Sequence, residues 1–374
     1  LGIDFEPGNS HGDHPSQQDV DGVLATGAGT WLSGQLSIDD DSVGPEPEAL
    51  RRFLEARQLA LWQVVSVLER GVPEWAAPMS SRSGVSPRSL VLLRLDRLLL
   101  AAALASERAG SAPEVRRLLE ASWSVFQTLS GDSDVISGML ATAVMTLQAG
   151  VLRKIREPPV EWLNRLSMDD PWRRALDAFE NEPRAIATWN PSLTLDSRSD
   201  SFANINLRAH RAVAEPLRRV APCALASLSA KEIGRPMEEE FRKANEPGAD
   251  SNEIARIFTD MIVPTLRNSL ERAGRLSVDD ELTLKILELR LVRSGSRDRK
   301  WPATLEDNAS RVCPGAFYEY RRDGPGLRIE FKGSPPAPEA GLRLPLSFST
   351  RADRRPTPPA PTPTAMPAAM PAPD

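Results

Sequence analysis

His11 and His14 stand three positions apart with Asp13 between them, and Asp4, Glu6, Asp19 and Asp21 lie close by. Imidazole nitrogens and carboxylates together suit a divalent ion such as zinc. Chelation also needs fixed geometry, and here Gly, Ser and Pro flank both histidines with no helical pattern to hold them. The segment therefore reads as a polar arm. No metal is expected; His11, Asp13 and His14 are the residues nearest to a ligand set.

Other chemistries find less material. His210 is the one histidine outside that arm, on a basic stretch with Arg208 and Arg211, and it reads as a surface or partly buried side chain. There is no Gly-x-Ser-x-Gly elbow for a serine nucleophile. The glycines form neither a phosphate-binding loop nor a dinucleotide-binding turn, so no cofactor is expected. Asp39-Asp-Asp41 lacks the ligand series of a calcium loop. Glu238-Glu-Glu240 reads as a solvated first helical turn, where negative charge complements the dipole. Paired carboxylates for acid–base hydrolysis exist in Asp169-Asp170, Asp279-Asp280 and Glu180/Glu182, yet capping and solubility explain each of them. Aromatic residues are 5% of the chain, too few for a sugar-lined groove, and Trp62, Trp123 and Trp162 fall on helical stripes as core. Catalytic residues are left unassigned, and an enzyme is not the preferred reading.

Charge narrows the partners. Lys and Arg number 46 against 51 Asp and Glu, so no basic surplus draws the 374-residue chain onto nucleic acid, and none is expected as a partner. Hydrophobic residues at 41% and charged residues at 26% fit a folded soluble protein. The nearest approach to a membrane span, Ser89–Ala105, is interrupted by Arg94, Asp96 and Arg97, which suit the wet side of a core helix. Cys223 and Cys313 could form one disulfide across a long loop, contributing about 4.5 kcal/mol in the chain-entropy model, or remain two unrelated thiols. Leu1 in place of Met, with a Pro-rich end, points to an exported protein, anchored to a membrane through a segment upstream of Leu1.

The elements that must position these residues are mostly helical. Leu50, Leu54, Leu61, Val65 and Leu68 share one stripe that Gly71 and Pro73 end. Ser86-Pro87 opens a helix that Gly110 closes. Ser111 and Glu114 read as a capping box before Val115, Leu118 and Leu119. A further helix follows from Val135 to Val151. Short helices are expected over Val160–Leu166 and Pro171–Asn181, and irregular chain from Pro183 to Ser201. Longer helices follow over Phe202–Val220 and Ser251–Ala273, kinked or split at Pro216 and Pro264. Ser277 with Asp280 then caps a separate helix, Val278–Arg293. After Gly295 the period becomes two: Phe317–Tyr320 and Leu327–Phe331 alternate around a Gly-rich turn, a hairpin that must pack on Val278–Arg293, with Leu342–Phe348 as a third strand.

The run from the leucines Leu287, Leu289 and Leu291, through Trp301-Pro-Ala-Thr-Leu305, to Phe317-Tyr-Glu-Tyr320 and Leu327–Phe331 resembles the helix, loop and hairpin of pseudopilin-type proteins and related exported bacterial proteins. It covers residues 278–333. A pseudopilin carries a hydrophobic assembly helix immediately before this part, and here an amphipathic helical region takes its place. The resemblance therefore implies an envelope-associated bacterial protein, without filament assembly and without catalytic residues to transfer.

The chain is thus expected to be mainly α, an irregular multi-helix bundle with a small C-terminal α+β element and disordered ends. Its parts are a flexible arm (1–45), a helical domain (46–277), a helix plus hairpin packed on it (278–349) and a Pro-rich tail (350–374). The expected function is a non-catalytic scaffold or interaction protein, periplasmic or envelope-associated, that binds a protein partner through its helical body. The alternatives are a helical hydrolase using two carboxylates in an inter-helix cleft and, for location, the cytoplasm.

Overall fold

A computed structural model describes residues 27–71, 87–131, 134–189, 202–244, 249–338 and 341–350. The helices are α1 (Ala28–Leu36), α2 (Glu48–Ala56), α3 (Gln58–Leu68), α4 (Pro87–Ala109), α5 (Ala112–Ser130), α6 (Val135–Lys154), α7 (Glu161–Met168), α8 (Pro171–Trp189), α9 (Phe202–Leu217), α10 (Ala230–Ala244) and α11 (Ala249–Gly295), with a 3₁₀ turn over Pro222–Ser227. Much of the expected flexible arm, and the tail from residue 351, lie outside the described residues.

Local chemistry sets many of the helix ends. Gly110 leaves α4 with φ 79°, a left-handed stop that glycine adopts without strain. Asp134 accepts from the Ser137 amide at 2.9 Å to start α6, and Asp170 accepts from the Arg173 amide at 2.9 Å to start α8. The capping box expected at Ser111 does not form, because Glu114 instead accepts from Ser106 Oγ at 3.0 Å. A reciprocal box closes at Ser229 and Glu232, ahead of α10.

Three apolar clusters make the interior. The first joins α1–α7 around Leu32, Leu50, Leu99, Leu119, Val144 and Trp162, and reaches Leu276 and Leu287 of α11. The second joins α8, α9, α10 and the first half of α11 around Phe179, Val213, Met237 and Leu270. The third lies between the second half of α11 and the sheet, with Leu282, Ile286, Tyr318, Ile329 and Phe348. Small residues let the elements approach: a Cβ on Gly150 of α6 would stand 2.8 Å from Leu344 and 2.9 Å from Leu36.

Several expectations are corrected. α11 is one helix of 47 residues, running through Pro264 and across the boundary expected at residue 277. Ser277 is interior and donates to the Ala273 carbonyl at 3.0 Å, so it caps nothing. α8 passes through Pro183 to Trp189 where irregular chain was expected. The single helix read over Leu50–Leu68 is two, parted at Arg57. Residues 28–36, placed in the flexible arm, form a packed helix with Leu32 and Leu36 fully buried. By length and composition α6, not Ser89–Ala105, is the described helix fit to cross a membrane, and 67% of its most apolar window is buried in the body.

The sheet is three-stranded and antiparallel, in the order β1 (Phe317–Asp323), β2 (Gly326–Lys332), β3 (Ser347–Ser349). Tyr318 pairs with Phe331 and Ile329 with Phe348, which sets the apolar face against α11. Gly324, at φ 55°, opens the two-residue turn. Trp301 is buried and donates to the Pro325 carbonyl at 3.0 Å, while the Tyr320 hydroxyl donates to the Pro302 carbonyl at 2.7 Å. These bonds bind the loop after α11 to the hairpin.

Candidate functional site

His11, Asp13 and His14 lie outside the described residues. Among the described residues, no group of three His, Cys, Asp or Glu side chains could hold a metal ion. Cys223 and Cys313 form a disulfide, with Cα atoms 5.3 Å apart, that ties the 3₁₀ turn to the loop before β1. His210 is buried. Its Nδ1 donates to the Asn206 carbonyl at 2.9 Å, its ring lies 4.4 Å from that of Phe179, and burial pushes its pKa down to about 4. Glu238–Glu240 sits in the later turns of α10, not the first, and Glu240 pairs with Lys243 at 2.7 Å.

The acids read as caps and solubilising groups include some of the most buried charges among the described residues. Asp96, Asp279 and Asp280 are each exposed by 3% or less, and Arg153, Lys154 and Arg290 are buried with them. The expectation that charged groups face water fails here, for a physical reason. The middle of α11 is surrounded by all three apolar clusters, so every face of that helix is inside.

Most of this buried charge is neutralised by neighbours or by backbone. Asp279 meets Arg153 at 3.3 Å and Arg275 at 3.2 Å. Arg153 also donates to Thr283 Oγ1 at 2.9 Å and to the Pro345 carbonyl at 2.7 Å. Arg290 donates to the carbonyls of Leu152, Arg153 and Ile155, capping the C-terminus of α6. Lys154 donates to the carbonyls of Ile38 and Asp40, so the Asp39–Asp41 run is held by its backbone. Glu281 accepts from Ser310 Oγ at 2.6 Å, the Arg311 amide at 2.6 Å and the Tyr318 hydroxyl at 2.9 Å.

One acid pair is different. Asp169 ends α7 and is bonded to Arg174, whose guanidinium lies 5.0 Å from the centre of the Phe126 ring. Both oxygens of Asp280 lack a hydrogen-bond partner, as does Oδ2 of Asp169. Burial first, then the charges of Asp169 and Asp279, hold Asp280 well above the carboxylate range, against the opposing pull of Arg174 and Arg153. Burial also raises Asp169. Both acids thus hold their protons more tightly than free carboxyls do, and only Asp169 has an arginine bonded to it.

A cavity of about 410 Å³ lies beside it. Ser130 and Gly131 at the end of α5, Gly138 of α6 and Ala178 of α8 leave its volume open because their side chains are small, and Asp169, Asp170 and Arg174 supply polar walls. Asp169 therefore touches the cavity. Asp280 is not among its walls.

The sequence reading named Asp169 and Asp280 but assigned them to capping, and it missed Arg153, Arg174 and Arg275. The signal was there: Asp279-Asp280 sits between Val278 and Leu282, where apolar positions occupy more than one face of the helix. In comparisons with known proteins, no family model matches the chain, and neither a curated protein nor a solved structure does.

Proposed function

We propose that this chain is a non-catalytic scaffold or interaction protein of the bacterial cell envelope, binding a protein partner through its helical body. The observation that carries this reading is the separation of Asp280 from the cavity that Asp169 lines. Hydrolysis by two acids needs both carboxyl groups against one bond of the substrate, and here one is sealed inside the fold. The buried cations Arg153, Lys154 and Arg290 bond backbone carbonyls of other segments, which stiffens a body able to present a fixed surface. The disulfide supports export, since such bonds persist in oxidising compartments. The pseudopilin-like helix and hairpin support the envelope. The Pro-rich tail suits a partner with an aromatic-lined groove.

The test is cross-linking in the source organism followed by purification of the tagged full-length chain. The reading expects one partner protein in stoichiometric yield, retained when Asp169 is changed to Asn. Recovery of the chain alone from both envelope and soluble fractions overturns it.

The second reading, a helical hydrolase, is favoured by the unpartnered carboxyl of Asp280 beside Asp169. It expects hydrolysis of some ester, glycoside or peptide that Asp169→Asn and Asp280→Asn each abolish while both variants melt cooperatively. Activity unchanged in either variant removes it.

A further inference from the structure

Asp96 lies in the middle of α4, on the side that meets α5 and α6, and is wholly buried. It does not sit on the wet side of a core helix, as its sequence neighbours Arg94 and Arg97 suggest. Ser122 of α5 donates its hydroxyl to Asp96 Oδ1, and Gln148 of α6 donates from Nε2 to Ser122 Oγ at 2.8 Å. Two polar atoms of this group are left over, Asp96 Oδ2 and Gln148 Oε1, both buried without a partner.

An ionised Asp96 leaves both orphans in place. It would be an anion in an apolar three-helix junction with one hydroxyl donor and, among the described residues, no cation within ion-pair distance, a costly state. Arg97, on the same helix, is the one charge that acts on it. α5 and α6 present Ser122 and Gln148, and α1, also packed on α4, presents the apolar Ala28 and Leu32. A proton on Oδ2 would turn one orphan acceptor into a donor for the other, Gln148 Oε1, whose amide is already tied to Asp96 through Ser122.

We propose that Asp96 is protonated in the folded chain and donates to Gln148 Oε1, closing a ring of hydrogen bonds across α4, α5 and α6 that makes the helical body a pH-responsive clamp. Burial raises the acid to about 8, so the folded chain keeps a proton that the unfolded chain gives up near its ordinary value of 3.8. The clamp is therefore at full strength below that ordinary value and weakens as pH rises towards 8, beyond which both states are ionised. This holds whichever functional reading is right.

The experiment is urea unfolding of the full, disulfide-intact chain from pH 5 to pH 9, wild type against Asp96→Asn. The amide keeps the shape and offers a donor at every pH. Relative to that variant, the wild-type folding constant should fall on the order of tenfold per pH unit up to about pH 8 and then level. Parallel curves, or a ratio that moves the other way, overturn the proposal. Should Asp96→Asn not fold, infrared spectra at pH 7 decide. A protonated-carboxyl band must be present in wild type and persist in Asp280→Asn, which removes another wholly buried acid whose proton affinity burial raises. Loss of the whole band in Asp280→Asn overturns the proposal.

Discussion

Arg153 and Asp279, 126 residues apart in the chain, meet at 3.3 Å with both side chains almost wholly buried. The same guanidinium donates to Thr283 and to the carbonyls of Asp279 and Pro345, so one side chain joins α6, α11 and the segment before β3. Burial lowers the affinity of Arg153 for its proton and raises that of Asp279, each opposed by the other's charge. Removing one partner is therefore worse than never having had the pair.

Arg153→Leu is expected to lower unfolding stability by about 3–5 kcal/mol, because Asp279 and two carbonyls lose a buried donor. Arg275 still contacts Asp279 at 3.2 Å, which keeps the loss from being larger. Chemical denaturation measures it. The double variant Arg153→Leu with Asp279→Leu should recover part of the loss, since the buried carboxylate is gone and Arg275 keeps its bond to the Leu344 carbonyl.

The acid limb of stability is expected to carry the signature of His210. Its folded pKa of about 4 lies below its ordinary 6.5, so the unfolded chain binds the proton first. Stability from this group is complete above pH 6.5 and drains away as pH falls towards 4, by about 3 kcal/mol in all. His210→Leu keeps the packing on Phe179 and should remove that slope. Thermal melts of both proteins between pH 7 and pH 4 test it; equal slopes refute it.

What the sequence made legible follows the range of the interaction. The hairpin was readable because alternation and a Gly-rich turn are local, and Tyr318 duly pairs with Phe331. The stop at Gly110 was readable for the same reason. The Ser111 capping box misled because Ser106, one turn earlier across the loop, competes for Glu114. The unity of α11 was hidden by Pro264 and Ser277, residues that usually punctuate a helix; the helix runs through an exposed Pro264 and through Ser277, where the residues around it are packed into the interior. The buried acids were illegible for a related reason. Asp279 finds Arg153 only through the tertiary fold, and no period in either segment points to the other. Asp96 was misread because Arg94 and Arg97 beside it suggested a solvated face.

Breaking the disulfide should loosen the junction between the second and third clusters more than the helical body. The 3₁₀ turn and the loop before β1 are 90 residues apart in sequence, and closing a loop of that length contributes about 4.5 kcal/mol in the chain-entropy model. Cys223→Ser with Cys313→Ser is expected to lower the melting temperature. It should also speed hydrogen exchange in residues 301–316, while the amides of α5 and α6 stay protected. Uniform loss of protection across α5 and α6 would show the bond to be global.

Lys154 ends α6, the described helix long and apolar enough to cross a membrane, and its ammonium is held by the carbonyls of Ile38, at 3.0 Å, and Asp40. Burial pulls its pKa down to about 8, against the raising effect of Asp40, Asp41 and Asp39. That balance marks Lys154 as the anchor of the segment after α1, whose Asp39 carbonyl in turn accepts from the Ser349 amide at the edge of β3. Lys154→Met keeps most of the stem and removes the donor. It is expected to cost about 1–3 kcal/mol, the penalty for leaving buried carbonyls unpaired. It should also expose the chain between Ser37 and Glu46 to limited proteolysis, while cleavage within α4 to α6 stays slow. A wild-type digestion pattern would mean that Trp31, whose indole donates to the Pro45 carbonyl at 2.9 Å, holds the segment without help.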